Sequence, residues 1–247
     1  MTDKPSDPSR RAQEKPDLEA LTTVPPFEDC PFGGLLGVGS GSNEGRDRGF
    51  FWPLDANGAL HGEPAQISFA PLFGLLREEL GEINVEGVCV FGESLWIFNR
   101  GNSAHSPNAV ASIALPDLGG SLTGDREIGA EELADLTAYD LGDLDGVDLC
   151  FSDATQISET LVAFTASAES DDAGDGNSIR GSVVGTIDGD RVVRRLRAID
   201  RKWKVEGIDA TLGSGILDLA FVCDQDDPKA PSPLLAATMP LEARFEV

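Results

Sequence analysis

One eight-residue pattern recurs along the chain. Asn84-Val85-Glu86-Gly87-Val88-Cys89-Val90-Phe91 is similar to Lys204-Val205-Glu206-Gly207-Ile208-Asp209-Ala210-Thr211. A weaker copy runs from Leu144 through Asp145-Gly146-Val147 to Phe151, and a degenerate one from Pro26 through Glu28 to Phe32. The acidic positions 28, 86, 145 and 206 are 58, 59 and 61 residues apart. Spacing this regular points to one supersecondary unit repeated, because a unit that cannot bury its own apolar face must stack on copies of itself.

Each copy is followed by a second apolar segment that ends in polar residues, and then by a third. After Glu86 come Leu95–Phe98, the cluster Asn99-Arg100-Gly101-Asn102, and Ala109–Leu115; after Glu206 come Leu217–Val222, the cluster Asp224-Gln225-Asp226-Asp227, and Pro233–Met239. Leu35–Val38 with Gly49–Leu54, and Leu161–Thr165 with Ile179–Ile187, complete the series, and fourth strands are expected at Gln66–Phe69, Val192–Ile199 and Leu241–Val247. With 28 glycines and 15 prolines punctuating short apolar segments, sustained helical periodicity is nearly absent. The expected fold is all-β: a β-propeller of four counted repeats, four to five blades, the fifth to be sought in Pro116–Leu141. An irregular β-sandwich is the alternative. Short helices are expected only in connections, at Pro71–Leu80, where Phe73, Leu76 and Leu80 share a face, and at Ala130–Leu136.

The Val-Glu-Gly segments, followed by Leu95-Trp96-Ile97-Phe98-Asn99-Arg100-Gly101-Asn102 or by Ala220-Phe221-Val222-Cys223-Asp224-Gln225-Asp226-Asp227, resemble the blade signature of the phytase-like propellers, the "esterase-like activity of phytase" family, and of a related uncharacterised bacterial group. The resemblance covers about Asn84–Asn102 and Lys204–Asp227. It implies a propeller fold and a hydrolytic, often metal-assisted, activity.

Meander geometry makes its own prediction. In an antiparallel blade the start of strand 1 and the end of strand 2 lie at the same end of the sheet. Glu86 should therefore share a rim with Asn99, Arg100 and Asn102, and Glu206 with Asp224 and Asp227. With the first strands innermost, the recurring acids ring one mouth of the central channel. Carboxylates and amides without His or Cys suit a hard cation, Ca2+ or Mg2+. On this reading Glu86, Asp145, Glu206 and Asp224 are metal ligands, while Asn99, Arg100, Asn102, Lys204 and Asp227 hold substrate. The competing reading is that each acid accepts hydrogen bonds from a neighbouring blade's backbone.

Composition narrows the function. Of 247 residues, 43 are Asp or Glu and 19 Lys or Arg, a formal net charge of −24. That field repels phosphate backbones and anionic headgroups, so neither a nucleic-acid nor a membrane partner is expected. The basic residues are 14 Arg and 5 Lys, a balance that suits an acidic, salt-adapted cytoplasm. No apolar run reaches the roughly 20 residues of a spanning helix. Residues 1–18 read as a charged, Pro-rich disordered leader without a signal-peptide core, ahead of a single propeller domain at 19–247, and the expected location is cytoplasmic. Cys30, Cys89, Cys150 and Cys223 have no zinc spacing, and Gly37–Gly41 lacks the Lys and helix of a phosphate loop. No nucleotide, haem or zinc is therefore expected. Asp171–Gly176 is calcium-loop-like but has Ser182 at position twelve. Two functions remain: a divalent-metal-dependent phosphoester or ester hydrolase at the acidic mouth, or a non-catalytic propeller that binds a small molecule or protein there.

Overall fold

The computed structural model describes residues 15–102, 105–115, 122, 127–170, 179–201, 203–224, 229 and 231–241. Four antiparallel sheets follow one another along the sequence in a four-bladed β-propeller arrangement. Blade 1 holds β1 (Leu18–Val24), β2 (Gly34–Gly39), β3 (Arg48–Pro53) and β4 (Ala65–Ser68), and blade 2 holds β5 (Val85–Phe91), β6 (Ser94–Asn99), β7 (Asn108–Ala114) and β8 (Leu133–Tyr139). Blade 3 holds β9 (Asp143–Leu144), β10 (Val147–Ser158), β11 (Leu161–Glu169), β12 (Ile179–Asp188) and β13 (Val193–Asp200), and blade 4 holds β14 (Val205–Gly213), β15 (Ile216–Cys223) and β16 (Leu234–Pro240).

The repeat is real, but its register differs from the one expected in two blades. Pro26–Phe32 is a tight turn, not a first strand: the Phe27 and Cys30 backbones hydrogen-bond each other, and Pro25, Pro26 and Pro31 remove the donors a strand needs. Blade 1 begins instead with β1. Asp145 and Gly146, at φ 55° and 77°, form the two-residue turn between β9 and β10. Asp-Gly is favoured there because both central residues need positive φ. The true common feature is a bulge in each innermost strand. Pairing skips one residue between Leu18 and Ala20, Val85 and Gly87, Phe151 and Asp153, and Val205 and Gly207. The extra residues are Glu19, Glu86, Ser152 and Glu206.

Helix α1 (Ala70–Leu80) falls where the periodicity puts it and buries Leu72, Phe73 and Leu76. The second expected helix shrinks to a single turn, Ala130–Glu132, after which the chain enters β8. There β7 offers its free edge, and Leu133 and Leu136 find the apolar surface they need. Residues 133–139 thus complete blade 2 and start no fifth blade. Residues 1–14, 116–121, 123–126, 171–178, 225–228 and 242–247, which carry most of the leader, part of the fifth-blade search, the calcium-like loop, Asp227 and the last expected strand, lie outside the described residues.

Among the described residues the core divides into three clusters, one per joint between successive blades. The first joins Leu36, Val38, Phe51 and Ile67 of blade 1 to Val85, Val88, Leu95 and Ile97 of blade 2, with Phe69, Phe73 and Leu76 beneath. The second joins Trp96, Phe98 and Val110 to Phe151, Phe164 and Val183. Here Phe98, Phe151 and Phe164 pack edge to face, at centroid distances of 5.2 and 5.1 Å. The third joins Ala163 and Val184 to Val205, Leu217, Leu219 and Phe221. Inner strands β1 and β5, β5 and β10, and β10 and β14 lie side by side.

Polar staples lock these joints. Val85 N donates to Ser40 O at 2.7 Å. Buried Asn108 accepts on Oδ1 from Gly101 N at 3.0 Å and Phe151 N at 2.9 Å, and donates from Nδ2 to Leu149 O at 2.8 Å. At the third joint Val205 N donates to Ser182 Oγ at 3.1 Å, and Ser182 Oγ in turn donates to Trp203 O at 2.9 Å. Replacing Asn108 by Ala strands two buried backbone donors and one acceptor, so Asn108→Ala should destabilise the fold by about 3 kcal/mol. Urea unfolding with an unchanged m-value checks this; a loss within about 0.5 kcal/mol would show that the joint does not depend on the staple.

Candidate functional site

Three of the four bulged residues are glutamates, and Glu19 and Glu206 both lie in the field of buried Glu86. Glu86 is only 6% exposed; its Oε1 accepts from Asn84 Nδ2 at 2.6 Å and lies 3.4 Å from Arg100 Nη1. Arg100, immediately after β6, also reaches blade 3, its Nη2 2.7 Å from Glu169 Oε2. Lys204, just ahead of β14, lies 3.4 Å from Glu169 and 3.1 Å from Glu206. The result is one alternating chain of charges, Glu86, Arg100, Glu169, Lys204 and Glu206, spanning three blades. On the blade 1 side Asp17 adds an ion pair with Arg46 at 2.5 Å and accepts from Ser40 Oγ at 3.1 Å.

Burial leaves its mark on these acids. It pushes Glu86 up to about 7, against the pull of Arg100 and with the push of Glu206 and Glu19. Burial likewise raises Asp153 to about 7, although Asp153 Oδ2 accepts from Ile208 N at 2.8 Å. Glu206 is raised by burial against the opposing pull of Lys204, and Glu19 by burial and by Asp17. For Arg100 burial works against the charge, yet Glu86 and Glu169 hold it above the usual guanidinium range.

Beside this network a polar cleft of about 420 Å3 opens between blades 2 and 3 and the end of α1. Arg77, Asn84, Arg100, Asn102, Asp148 and Glu169 are among its lining residues. Arg77 is fixed by Asp47 and by Gly41 O, the latter at 2.6 Å. Gly81 ends α1 at φ 90°, and a Cβ there would stand 2.6 Å from His105 O, so glycine lets the helix end lean on the Asn102–Ser106 turn. About a fifth of the Arg100 and Glu169 side chains remains open. The cleft thus offers both donors and acceptors. Cys150 also lines it, but burial raises its thiol pKa, which disfavours the thiolate.

The meander brings Glu86 and Arg100 together, and Lys204 and Glu206, as the strand order requires. Asn99 is buried inside the rim: its Oδ1 accepts from Asn84 N at 2.8 Å, and its Nδ2 donates to Ser106 Oγ and Pro107 O. Asp145 stands on its exposed hairpin, paired with Arg201. Asp224 lies beyond β15, its N donating to Lys204 O at 3.1 Å. Glu86, Asp145, Glu206 and Asp224 therefore do not form one donor set, and no group of three or more His, Cys, Asp or Glu able to hold a metal ion occurs among the described residues. Glu169 ends the polar cluster Ser167-Ala168-Glu169 that follows the second strand of the third repeat, the same place in its blade as Arg100, whereas Glu19 and Asp153 were not singled out from the sequence. A bulge-aligned register would have found Glu19, which follows Leu18 as Glu86 follows Val85. No local pattern marks Asp153, whose partner, Ile208 N, comes from the neighbouring blade.

The family of unknown function DUF6910 matches residues 11–228. The blade signature that resembles phytase-like propellers is thus carried by a family with no assigned activity. No curated protein matches the sequence. Among solved structures, a mutant apocarotenoid oxygenase of Synechocystis is similar at 12% identity and a TM-score of 0.46, with 89% of this chain and 45% of that one covered. A hydrazine synthase of Kuenenia stuttgartiensis is similar at 12% identity and a TM-score of 0.38, with 92% of this chain and 64% of that one covered. The chain spans less than two thirds of the length of either. No described helix is long and apolar enough to cross a membrane.

A carboxyl whose folded pKa exceeds its unfolded value holds its proton longer in the folded state, so stability falls as pH rises between the two values. For Glu86 that window runs from 4.5 to about 7 and for Asp153 from 3.8 to about 7. In about 1 M KCl, which screens the general surface charge, Tm should fall from about pH 4 to about pH 7 and level off above it. The Glu86→Gln/Asp153→Asn double variant should flatten that fall; an identical slope in the variant would show that neither carboxyl is perturbed.

Proposed function

We infer that this chain, which belongs to that family of unknown function, is a binding protein whose polar cleft takes a small hydroxylated or amino-bearing ligand, neutral or cationic. The observation that carries this reading is the Arg100–Glu169 pair. It is held from behind by Glu86 and Lys204, and it presents a fixed donor edge and a fixed acceptor edge to a cleft of small-molecule size. Preorganised polar groups of this kind orient a ligand at little entropic cost. The sign of the ligand follows from the field. Glu82, Asp148 and Glu169 outnumber Arg77 and Arg100 in the lining, and the whole chain carries −24, so an anion enters uphill.

A hydrolase at the same mouth remains the competing chemistry implied by the phytase-like resemblance. Glu86 and Glu206 argue against that use here, because each is already engaged by a cation of its own chain.

A thermal-shift and NMR screen of polyols, sugars, amines and anions, with and without Ca2+ or Mg2+, separates the two. Neutral or cationic compounds should raise Tm, and Asp148→Ala and Arg100→Gln should each weaken the best binder at least tenfold. Stabilisation by anions alone would overturn the reading. So would turnover of a nitrophenyl ester or phosphoester that depends on a divalent ion and is lost in Glu206→Gln.

A further inference from the structure

The cleft does not end at Arg100. A second cavity, of about 280 Å3, adjoins it, and Gly101, Ser106, Asp148 and Cys150 wall both. Its far side is formed by residues 139–142, which carry the chain from β8 to β9. The two cavities make one groove along the joint between blades 2 and 3, from the end of α1 to that turn. The Cys150 thiol, at the junction, feels both Arg100 and Asp148, so the two ends lie within electrostatic reach of each other.

The groove has a polarity. Arg77 and Arg100 line the first cavity only, whereas Asp140 and Asp148 line the second, with no cation among its described lining residues. Asn108 and Ser106 also line the second cavity, but the fold occupies them: Asn108 serves Gly101, Leu149 and Phe151, and Ser106 Oγ accepts from Asn99 Nδ2 at 3.2 Å. Asp148 is exposed, and its carboxylate makes no hydrogen bond or ion pair with a described residue. Asp140, also exposed, uses Oδ1 to accept from Gly142 N at 2.9 Å. Carboxylate acceptors therefore carry the recognition chemistry at this end.

Resting on the binding-cleft reading above, we propose that the ligand is an elongated amine with a hydroxylated body, an amino sugar or amino alcohol, lying along the groove with its ammonium on Asp140 and Asp148 and its hydroxyls on the Arg100–Glu169 edge. A hydroxyl both donates and accepts, so it matches a guanidinium beside a carboxylate; an anionic group there would meet Glu169 as well as Arg100. An ammonium donates three hydrogen bonds and accepts none, so it matches the end that offers carboxylates. The reverse orientation would set the ammonium against Arg77 and Arg100. A ligand confined to the first cavity would leave Asp140 unanswered, which is why the ligand is long.

Titration calorimetry on the full chain at about pH 6.5, where the amine is charged, tests this with three probes: glucosamine, its β-1,4-linked dimer, and cellobiose, which has the body of the dimer without the amines. The dimer should bind about tenfold more tightly than either of the others. Its advantage over cellobiose should shrink to about twofold or less in Asp140→Asn/Asp148→Asn, where asparagine keeps the Oδ1 acceptor that the turn needs. Asp209→Asn/Asp218→Asn, which removes the same charge from exposed positions of blade 4, should leave that advantage as it was. Cellobiose or glucosamine binding as tightly as the dimer, or an advantage that survives the loss of Asp140 and Asp148, would overturn the proposal and leave the binding cleft standing. Failure of all three sugars overturns it too, and the cleft reading falls with it only if no polyol, sugar or amine binds.

Discussion

The close approach of the innermost strands governs the rest of this molecule. At Gly87 a Cβ would stand 2.9 Å from Ala154 N and 3.0 Å from Asp153 Cα, so β5 and β10 lie as near as they do only because position 87 has no side chain. The bulge frees one residue of each inner strand from the ladder, and at Glu86 and Glu206 that residue lies among like charges. Where that residue is glutamate, a carboxylate is delivered into a region that is both dry and negative. Burial of an unpaired charge costs far more than any single contact returns. The positions flanking the bulge supply the compensation, Arg100 after β6 and Lys204 before β14, and Glu169 after β11 joins the two.

The same compensation creates the chemistry. A guanidinium shared between Glu86 of its own blade and Glu169 of the next cannot move without exposing a buried acid, so the edge it shows to the cleft is rigid. Protonation remains available as a second solution. With Glu86 and Asp153 both near 7, the axis sheds charge as the solution acidifies, and the inner ring tolerates acid better than a chain of ordinary carboxylates would. The blade 1 edge follows a different rule. Glu19 occupies the bulge as Glu86 does, but it is only partly covered where Glu86 is buried.

Much of this was legible in single segments. Val85-Glu86-Gly87 and Val205-Glu206-Gly207 placed two inner strands correctly, and antiparallel meandering placed Arg100 beside Glu86. Position 28 misled, because an acid between prolines and an aromatic imitates the pattern while its backbone turns back on itself. Asp145 misled for the opposite reason: Asp-Gly is a strong local signal, but for a hairpin. Asn99 stands where the meander puts it, but buried, with its amide engaged by Asn84 N, Ser106 Oγ and Pro107 O, because a rim asparagine and a buried clamp share one sequence. Asn108 carried no signal at all; what makes it a staple is the blade 3 backbone opposite it.

By itself the sequence determined the period, the strand order within a blade, the all-β class and the sign of the field, because these follow from local propensity and summed charge. Tertiary structure decided which acid in each repeat joins the inner network, that Glu169 links Arg100 to Lys204 across two joints, and that blades 1 and 4 each keep an open face. Those outcomes depend on bulge register and on contacts between residues about 60 or more positions apart, as in Arg100 with Glu169, and no short window of sequence contains both partners.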